Sequence, residues 1–500
     1  MEAREREAHI HMKIAGIIAE YNPFHSGHAH HIRETRRLSG CDFVVVCMAG
    51  SYTQRGEAAC MDKWSRARAA LLCGADAVFE LPALWAVRSA DAFARGGVAI
   101  LAGLGCDCLS FGSETAELPL LRALAGLRES EPESLATAVR DALAQGKSHA
   151  RARGEALAAH LSLSPELLSA PNLILGAEYI RAADALGADM EFLPVPRAGS
   201  YHSDALDGKI PTANRETDSL PGSAPSAHAA IRRQGDAADT ETHVPGQETY
   251  RICGDATGTE AACPARRSDG FPGGPSGANA AHRTSEGTDP ECSPLRPESA
   301  PGNAAVFASA SAIRAALEAG RREEALSCVP PAARALLADA PGMHAPDDLL
   351  LHALRRMTCA QLANLPDVRE GLGDRVARFA QTAASRAELI EGVKCKRYTY
   401  ARISRLCAHA LLEIDRELCD RHPLPEYARL IGMRADARPL LSELKRRAAL
   451  PIISDAAKLV DDEVFQLECR ATDLRALQCD APTDRRAGQD FTRKFVRIEE

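Results

Sequence analysis

The spacing of apolar positions changes along the chain. The run Ile14 to Ala19 is short, continuous and partly β-branched, the pattern of a strand buried on both faces. Similar runs follow at Asp42 to Met48, Ala77 to Leu81, Cys108 to Phe111 and Glu191 to Val195. Between them the period lengthens to that of helices. These cover Trp64 to about Cys73, a segment opened by Ser89-Ala90-Asp91, an alanine-rich stretch over 117–170, and Leu173 to Leu186. Strands alternating with helices predict an α/β domain with a Rossmann-like, doubly wound parallel sheet over residues 12–206.

From about Asp207 to Asn303 the pattern is lost. Gly, Pro, Ser, Thr, Ala and mixed charges dominate, and large aliphatic residues are few. Such a stretch buries too little apolar area to offset its chain entropy, so residues 207–303 are expected to be a disordered insertion. Helical spacing resumes at Ala308-Ser309-Ala310-Ser311-Ala312-Ile313-Arg314, and residues 304–335 are expected to complete the first domain. Residues 345–500 read as a mostly α-helical C-terminal domain. Asp347 is placed to cap one of its helices, and Thr399 to cap another that runs through Ile403, Leu406 and Leu411.

Composition narrows the class. Of 500 residues, 45% are hydrophobic and 26% charged, ordinary for a globular protein. The net charge of −8 gives no global basic field, so any RNA contact must use a local patch, and neither DNA nor a membrane is an expected partner. Sixteen cysteines contain no C-x-x-C pair, and zinc-type spacing is absent. Cys106 and Cys108 are expected on one strand face. No metal site is expected from these residues, and reduced core thiols in a cytoplasmic protein are the simpler reading. The first eleven residues are charged and lack a signal-peptide core, and no apolar run reaches the ~18 residues of a membrane span.

The candidate chemistry lies where strands end. Asn22-Pro23 breaks the first strand, and His25-Ser26-Gly27-His28 then opens a helix. A helix N-terminus at a strand's carboxyl end favours anions, Gly27 lets backbone come close to a phosphate, and two imidazoles can stabilise charge during in-line displacement. Arg55, Lys63 and Arg66 gather positive charge past the second strand. Gly112-Ser113-Glu114 ends the fourth, and Arg197 the fifth. Asn172 is either a helix cap or a ligand contact. Ser309, Ser311 and Arg314 suit a triphosphate. Lys394, Lys396, Arg397, Arg402 and Arg405 surround a helix N-terminus, where the macrodipole disfavours cations, so an external polyanion is the better explanation. Tyr398 is a candidate for base stacking. Each feature also has a plain structural reading as a turn, a cap or a solvated face.

The H-x-G-H turn resembles that of the nucleotidyltransferase superfamily, and the serine-rich segment ending in Ile313-Arg314 resembles its second signature. A longer set of strings resembles one family, the tRNA(Met) cytidine acetate ligases. They are GIIAEYNPFHSGH, QRGE with DKWSRA, ELP, SADAF, FGSE, PNLILGAEYI, SAIR, DVREGL and VKCKRYTYARISRL. The resemblance covers Met12 to about His202, and about Ser309 to Pro451 with the Ile-Ile-Ser that follows.

It implies an ATP-binding nucleotidyltransferase domain over 12–206 plus 304–335 and a tRNA-binding helical domain over 345–500. It further implies a cytosolic ligase that makes acetyl-adenylate and diphosphate from acetate and ATP, then acetylates N4 of the wobble cytidine of elongator tRNA(Met). By position, ATP contacts fall on Ile18, Ala19, Glu20, Tyr21, Asn22, Pro23, Phe24, His25, Ser26, Gly27, His28, Ala29, His30, His31, Gly112, Asn172 and Arg197. Arg314 is added by the second signature. His25 and His28 are the expected catalytic pair, Mg2+ is expected with ATP, and Lys394, Lys396, Arg397, Arg402 and Arg405 are the expected tRNA contacts. The chain departs from the family in its 207–303 insertion and, mildly, at Tyr52-Thr53. The rival readings are an adenylyltransferase acting on a small phosphorylated metabolite and a non-catalytic RNA-binding protein.

Overall fold

A computed structural model describes residues 12–127, 132–145, 149–161, 163–168, 170–196, 307–369 and 371–499. The expected insertion over 207–303 and the candidate Arg197 lie outside the described residues. Five strands alternate with helices in the first part: β1 (Ile14–Ala19), β2 (Phe43–Ala49), β3 (Ala77–Leu81), β4 (Cys108–Ser113) and β5 (Glu191–Pro196). All pair in parallel. Three more strands, β6 (Ala428–Arg434), β7 (Ile452–Ile453) and β8 (Val496–Ile498), extend the sheet in the order β5-β4-β1-β2-β3-β6-β7, with β8 beside β6.

The β-branched runs are buried on both faces, as their continuity requires. In β2, Val45, Cys47 and Ala49 enter one core, while Val44, Val46 and Met48 enter the other. The first core is closed by the Ala90–Gly103 and Pro171–Leu186 helices. The second is closed by α1 (Ser26–Ser39), α2 (Lys63–Leu72) and the helices over 310–338. Gly16 permits one close approach, since a Cβ there would stand 2.8 Å from the Leu101 side chain. Cys106 and Cys108 fall in different cores, because Cys106 precedes β4 rather than lying in it. The described cysteines are free thiols.

The C-terminal region departs from the expected run of helices. Five helices between Asp347 and Leu412 do form a bundle with its own core. Residues 428–434 then return to the sheet as β6, antiparallel to β3. Nothing local in ARLIGMR marks this, because the pairing partner is hundreds of residues away. Three expected caps also differ. Asp347 is the first helical residue after Pro346, and its carboxylate accepts the Arg386 N–H at 2.8 Å. Thr399 and Ser89 occupy cap positions, but their hydroxyls make no cap hydrogen bond.

Candidate active site

The strand order reverses at β1: β2 and β3 lie on one side of it, β4 and β5 on the other. In open α/β sheets the crevice at the carboxyl ends of the two strands flanking such a switch is where ligands bind. Here that places the crevice at the ends of β1 and β4, between the His25 turn and Gly112.

The turn after β1 is held from several sides. Glu20 Oε1 accepts the Gln54 N–H at 2.7 Å, and the Glu20 carbonyl accepts from Arg66 Nη1 at 2.6 Å. Asn22 Oδ1 accepts the Cys60 N–H at 2.8 Å, while its carbonyl accepts from Arg314 Nη1 at 2.6 Å. Tyr21 takes a left-handed backbone (φ 52°), and the Asn22-Pro23 peptide is cis. Burial raises the Glu20 carboxyl above its usual range, outweighing the Gln54 N–H and the Arg314, Arg55 and Arg66 charges.

His25 is the N-cap of α1, and its Nδ1 accepts the Gly27 N–H at 3.1 Å. His28 Nδ1 accepts the His25 N–H at 3.2 Å, completing a reciprocal cap. An Nδ1 that accepts cannot carry the proton, so each neutral ring is protonated on Nε2. The rings lie 3.7 Å apart, and His28 also packs against Tyr21 at 4.8 Å and Phe24 at 5.6 Å. A Cβ at position 27 would stand 2.9 Å from the His25 ring, so the glycine sets the imidazole's place. The Ser26 N–H and hydroxyl both go to the Cys328 carbonyl, at 2.9 and 2.8 Å. The first backbone donors of α1 are therefore committed internally.

Other residues of this stretch serve the core. Ile18, Tyr21, Phe24 and Ala29 are buried in the two clusters, with Ala19 packed against one of them. Pro23 is buried as well. His31 bonds Ser110 at 3.0 Å, and His30 packs on Phe307 at 5.3 Å, a neighbour that no sequence signal marked. Across the crevice, Glu114, which the sequence marks only as the end of the turn after β4, anchors Asn172: Oε1 accepts from Asn172 Nδ2 and Oε2 accepts the Leu173 N–H, both at 2.7 Å.

Two of the three cations gathered past β2 turn inward. Arg66 is fully buried and donates to the carbonyls of Met61, Ala49, Gly50 and Glu20. Burial lowers it to about 10. Lys63, also fully buried, pairs with Glu80 at 2.6 Å, Asp490 at 2.7 Å and Glu468 at 3.3 Å. Both were consistent with a solvated helix face in a one-dimensional reading; tertiary closure by residues 428–499 is what buries Lys63.

The five cations of the helical region divide. Lys394, Lys396 and Arg397 are exposed. Arg402 donates twice to the Asp367 carbonyl, at 2.9 and 2.7 Å, and Arg405 pairs with the Asp367 carboxylate at 3.5 Å. Tyr398 is 5% exposed and packs within the bundle under Arg402, which removes it as a stacking platform. The loop after β2 reaches this bundle: Tyr400 OH donates to Glu57 at 3.2 Å, and Ser404 Oγ donates to the Arg55 carbonyl at 2.5 Å. Among the described residues no helix is long and apolar enough to cross a membrane.

A family model described as HIGH Nucleotidyl Transferase matches residues 12–223 and 298–490. A tRNA(Met) cytidine acetate ligase of Acetivibrio thermocellus is 30% identical, over 97% of this chain and 100% of its own. The protein of that name from Bacillus subtilis is 28% identical, over 94% of each chain. The crystal structure of Thermotoga maritima TmcAL bound with alpha-thio ATP superposes with a TM-score of 0.71 at 24% identity, over 98% of this chain and 100% of that one. The H-x-G-H turn, the switch-point crevice and these full-length relatives agree, and the chain belongs to the HIGH nucleotidyltransferases and, within them, to the tRNA(Met) cytidine acetate ligase family.

Proposed function

We propose that this protein is an ATP-dependent ligase that joins acetate to N4 of the wobble cytidine of elongator tRNA(Met), working in the cytoplasm. The observation that carries the nucleotidyl-transfer half is the stacked His25–His28 pair at the β1–β4 crevice, with both Nδ1 atoms committed to backbone donors. The names of the relatives carry the acetate and the tRNA.

In the first step an acetate oxygen attacks the α-phosphorus of ATP and the bond to the β-phosphate bridging oxygen breaks. Acetyl-adenylate forms and diphosphate leaves with the electron pair. Protons on Nε2 of His25 and His28 face the charge that develops on the transferred and departing phosphates. Arg314, fixed by Asn22 O, neutralises the outer phosphates. In the second step the cytidine N4 amine attacks the acetyl carbonyl, AMP leaves, and the amine loses a proton. Among the described residues no group of three or more His, Cys, Asp or Glu could hold a metal ion, and the Mg2+ expected with ATP would be held chiefly by the phosphates and water. Lys394, Lys396 and Arg397 meet tRNA phosphates, while Arg402 and Arg405 support that surface by holding Asp367.

The test is transfer of labelled acetate into unmodified elongator tRNA(Met), with and without ATP. ATP-dependent label in the RNA, with one AMP released per acetyl group, is the expected result. Label-free RNA that remains bound to the protein sinks the reading.

A further inference from the structure

Asn172 lies at the start of the Pro171–Leu186 helix, beside the carboxyl end of β4. That helix has no side-chain cap of its own, since Ala170 precedes it. Glu114 supplies the cap from outside, taking the Leu173 N–H on one oxygen and Asn172 Nδ2 on the other. A carboxylate only accepts hydrogen bonds, so it admits one orientation of the Asn172 amide, with NH2 towards Glu114 and Oδ1 away from it. Among the described residues Oδ1 has no protein partner. The Glu114 charge also occupies this helix's N-terminus, which keeps the triphosphate on the His25 side of the crevice.

We propose that Glu114 is a positioning residue that fixes the Asn172 amide so that the site shows the nucleoside a hydrogen-bond acceptor. The inference rests on the nucleotide reading above. The ligand group it selects is a donor: the exocyclic amine of adenine or a ribose hydroxyl. A nucleotide with a carbonyl oxygen in the amine's place, or without the hydroxyl, leaves Asn172 Oδ1 unpaired, and sites built around such a bond reject the mismatch strongly.

Glu114→Gln separates this role from helix capping. The glutamine oxygen still accepts the Leu173 N–H, so its NH2 faces Asn172, and the amide turns over to show the nucleoside a donor instead. Steady-state diphosphate release would be followed for wild type, Glu114→Gln and Asn172→Ala, with ATP, ITP and the 2′- and 3′-deoxy analogues of ATP. In Glu114→Gln the KM for ATP should rise about tenfold or more with kcat within about threefold and the thermal midpoint unchanged. If the base is read, ITP binds this variant better than ATP. If the ribose is read, wild type discriminates against one deoxy analogue and the variant does not. Asn172→Ala should raise the KM for ATP comparably. A KM for ATP within twofold of wild type in either variant overturns the proposal. Calorimetric titration of ATP into the same three proteins gives the matching affinities, so a wild type that binds ATP yet releases no diphosphate would sink the ligase reading and still test this one.

Discussion

His28 is wedged between His25, Tyr21 and Phe24, so its place is set by packing, and the role proposed for it rests on one nitrogen. His28→Ala should cut ATP-dependent AMP formation by at least about a hundredfold. The melting temperature should fall only slightly, because the partly exposed ring leaves a shallow gap. Unchanged turnover would remove the histidine from the mechanism. Gly27→Ala acts on the same pair through space: the new methyl meets the His25 ring, displaces it by a few tenths of an ångström, and should slow turnover about tenfold or more with little change in stability. The turn was legible in sequence because its instructions are local: a proline break, a cap and a glycine within six residues. Tyr398 was not, because whether an aromatic faces RNA or a core depends on a partner elsewhere in the chain. With Leu350, Ile390 and Ile403 in its cluster, Tyr398→Ala should cost about 3–5 kcal/mol in urea unfolding.

Among the elements, the helix Glu463–Leu477 is bound to the sheet by charge in an almost dry setting. Lys63 and Arg429 face Glu80, Asp490 and Glu468, and none of the five is more than 6% exposed. Burial opposes ionisation of Glu80 and Asp490, but the two cations outweigh it and hold both below the usual range. Burial, then the Glu80 charge, push Glu468 up to about 8. A protonated Glu468 makes the cluster neutral, two cations against two carboxylates. The native state then holds one more proton than the unfolded chain between about pH 4.5 and 8. Stability from this group is full below the lower value and declines as pH rises, by at most about 1.4 kcal/mol per unit. Urea midpoints from pH 5 to 8 should show that slope in wild type and lose it in Glu468→Gln. Lys63→Met, which leaves Arg429 alone against two buried carboxylates, should cost about 3–5 kcal/mol. The exposed loop before the Tyr400–Leu412 helix obeys different rules. Replacing Lys396 and Arg397 together with alanine should weaken tRNA binding and lower its salt slope by about two, with ATP affinity unchanged. A loss of ATP affinity instead would place the RNA surface elsewhere.

At the scale of the molecule, the alternation of strands and helices made the parallel sheet legible from sequence, since each βα unit carries its own period. The last third was legible only in part. The bundle over 347–412 announces itself by helical spacing, whereas β6 is a seven-residue strand that means something only beside β3. The burial of Lys63 was illegible for the same reason, since Glu468 and Asp490 lie far along the chain, whereas Arg66 turns in to carbonyls of residues 20 to 61 that no periodicity marks. A chain ended at residue 427 should fail to give a cooperative unfolding transition, because it exposes the edge of β3 and leaves Lys63 without Glu468 and Asp490. A sharp two-state transition in that fragment would show the sheet to be complete without β6. The distance along the chain has a further meaning during synthesis. Glu80 and its partner Arg429 are 349 positions apart, which at about 5–20 residues per second is roughly 17–70 s of translation. For all that time the nascent sheet has an open edge and a buried lysine in waiting, and a ribosome that stalls before the last seventy residues releases a product fit only for chaperones and proteases.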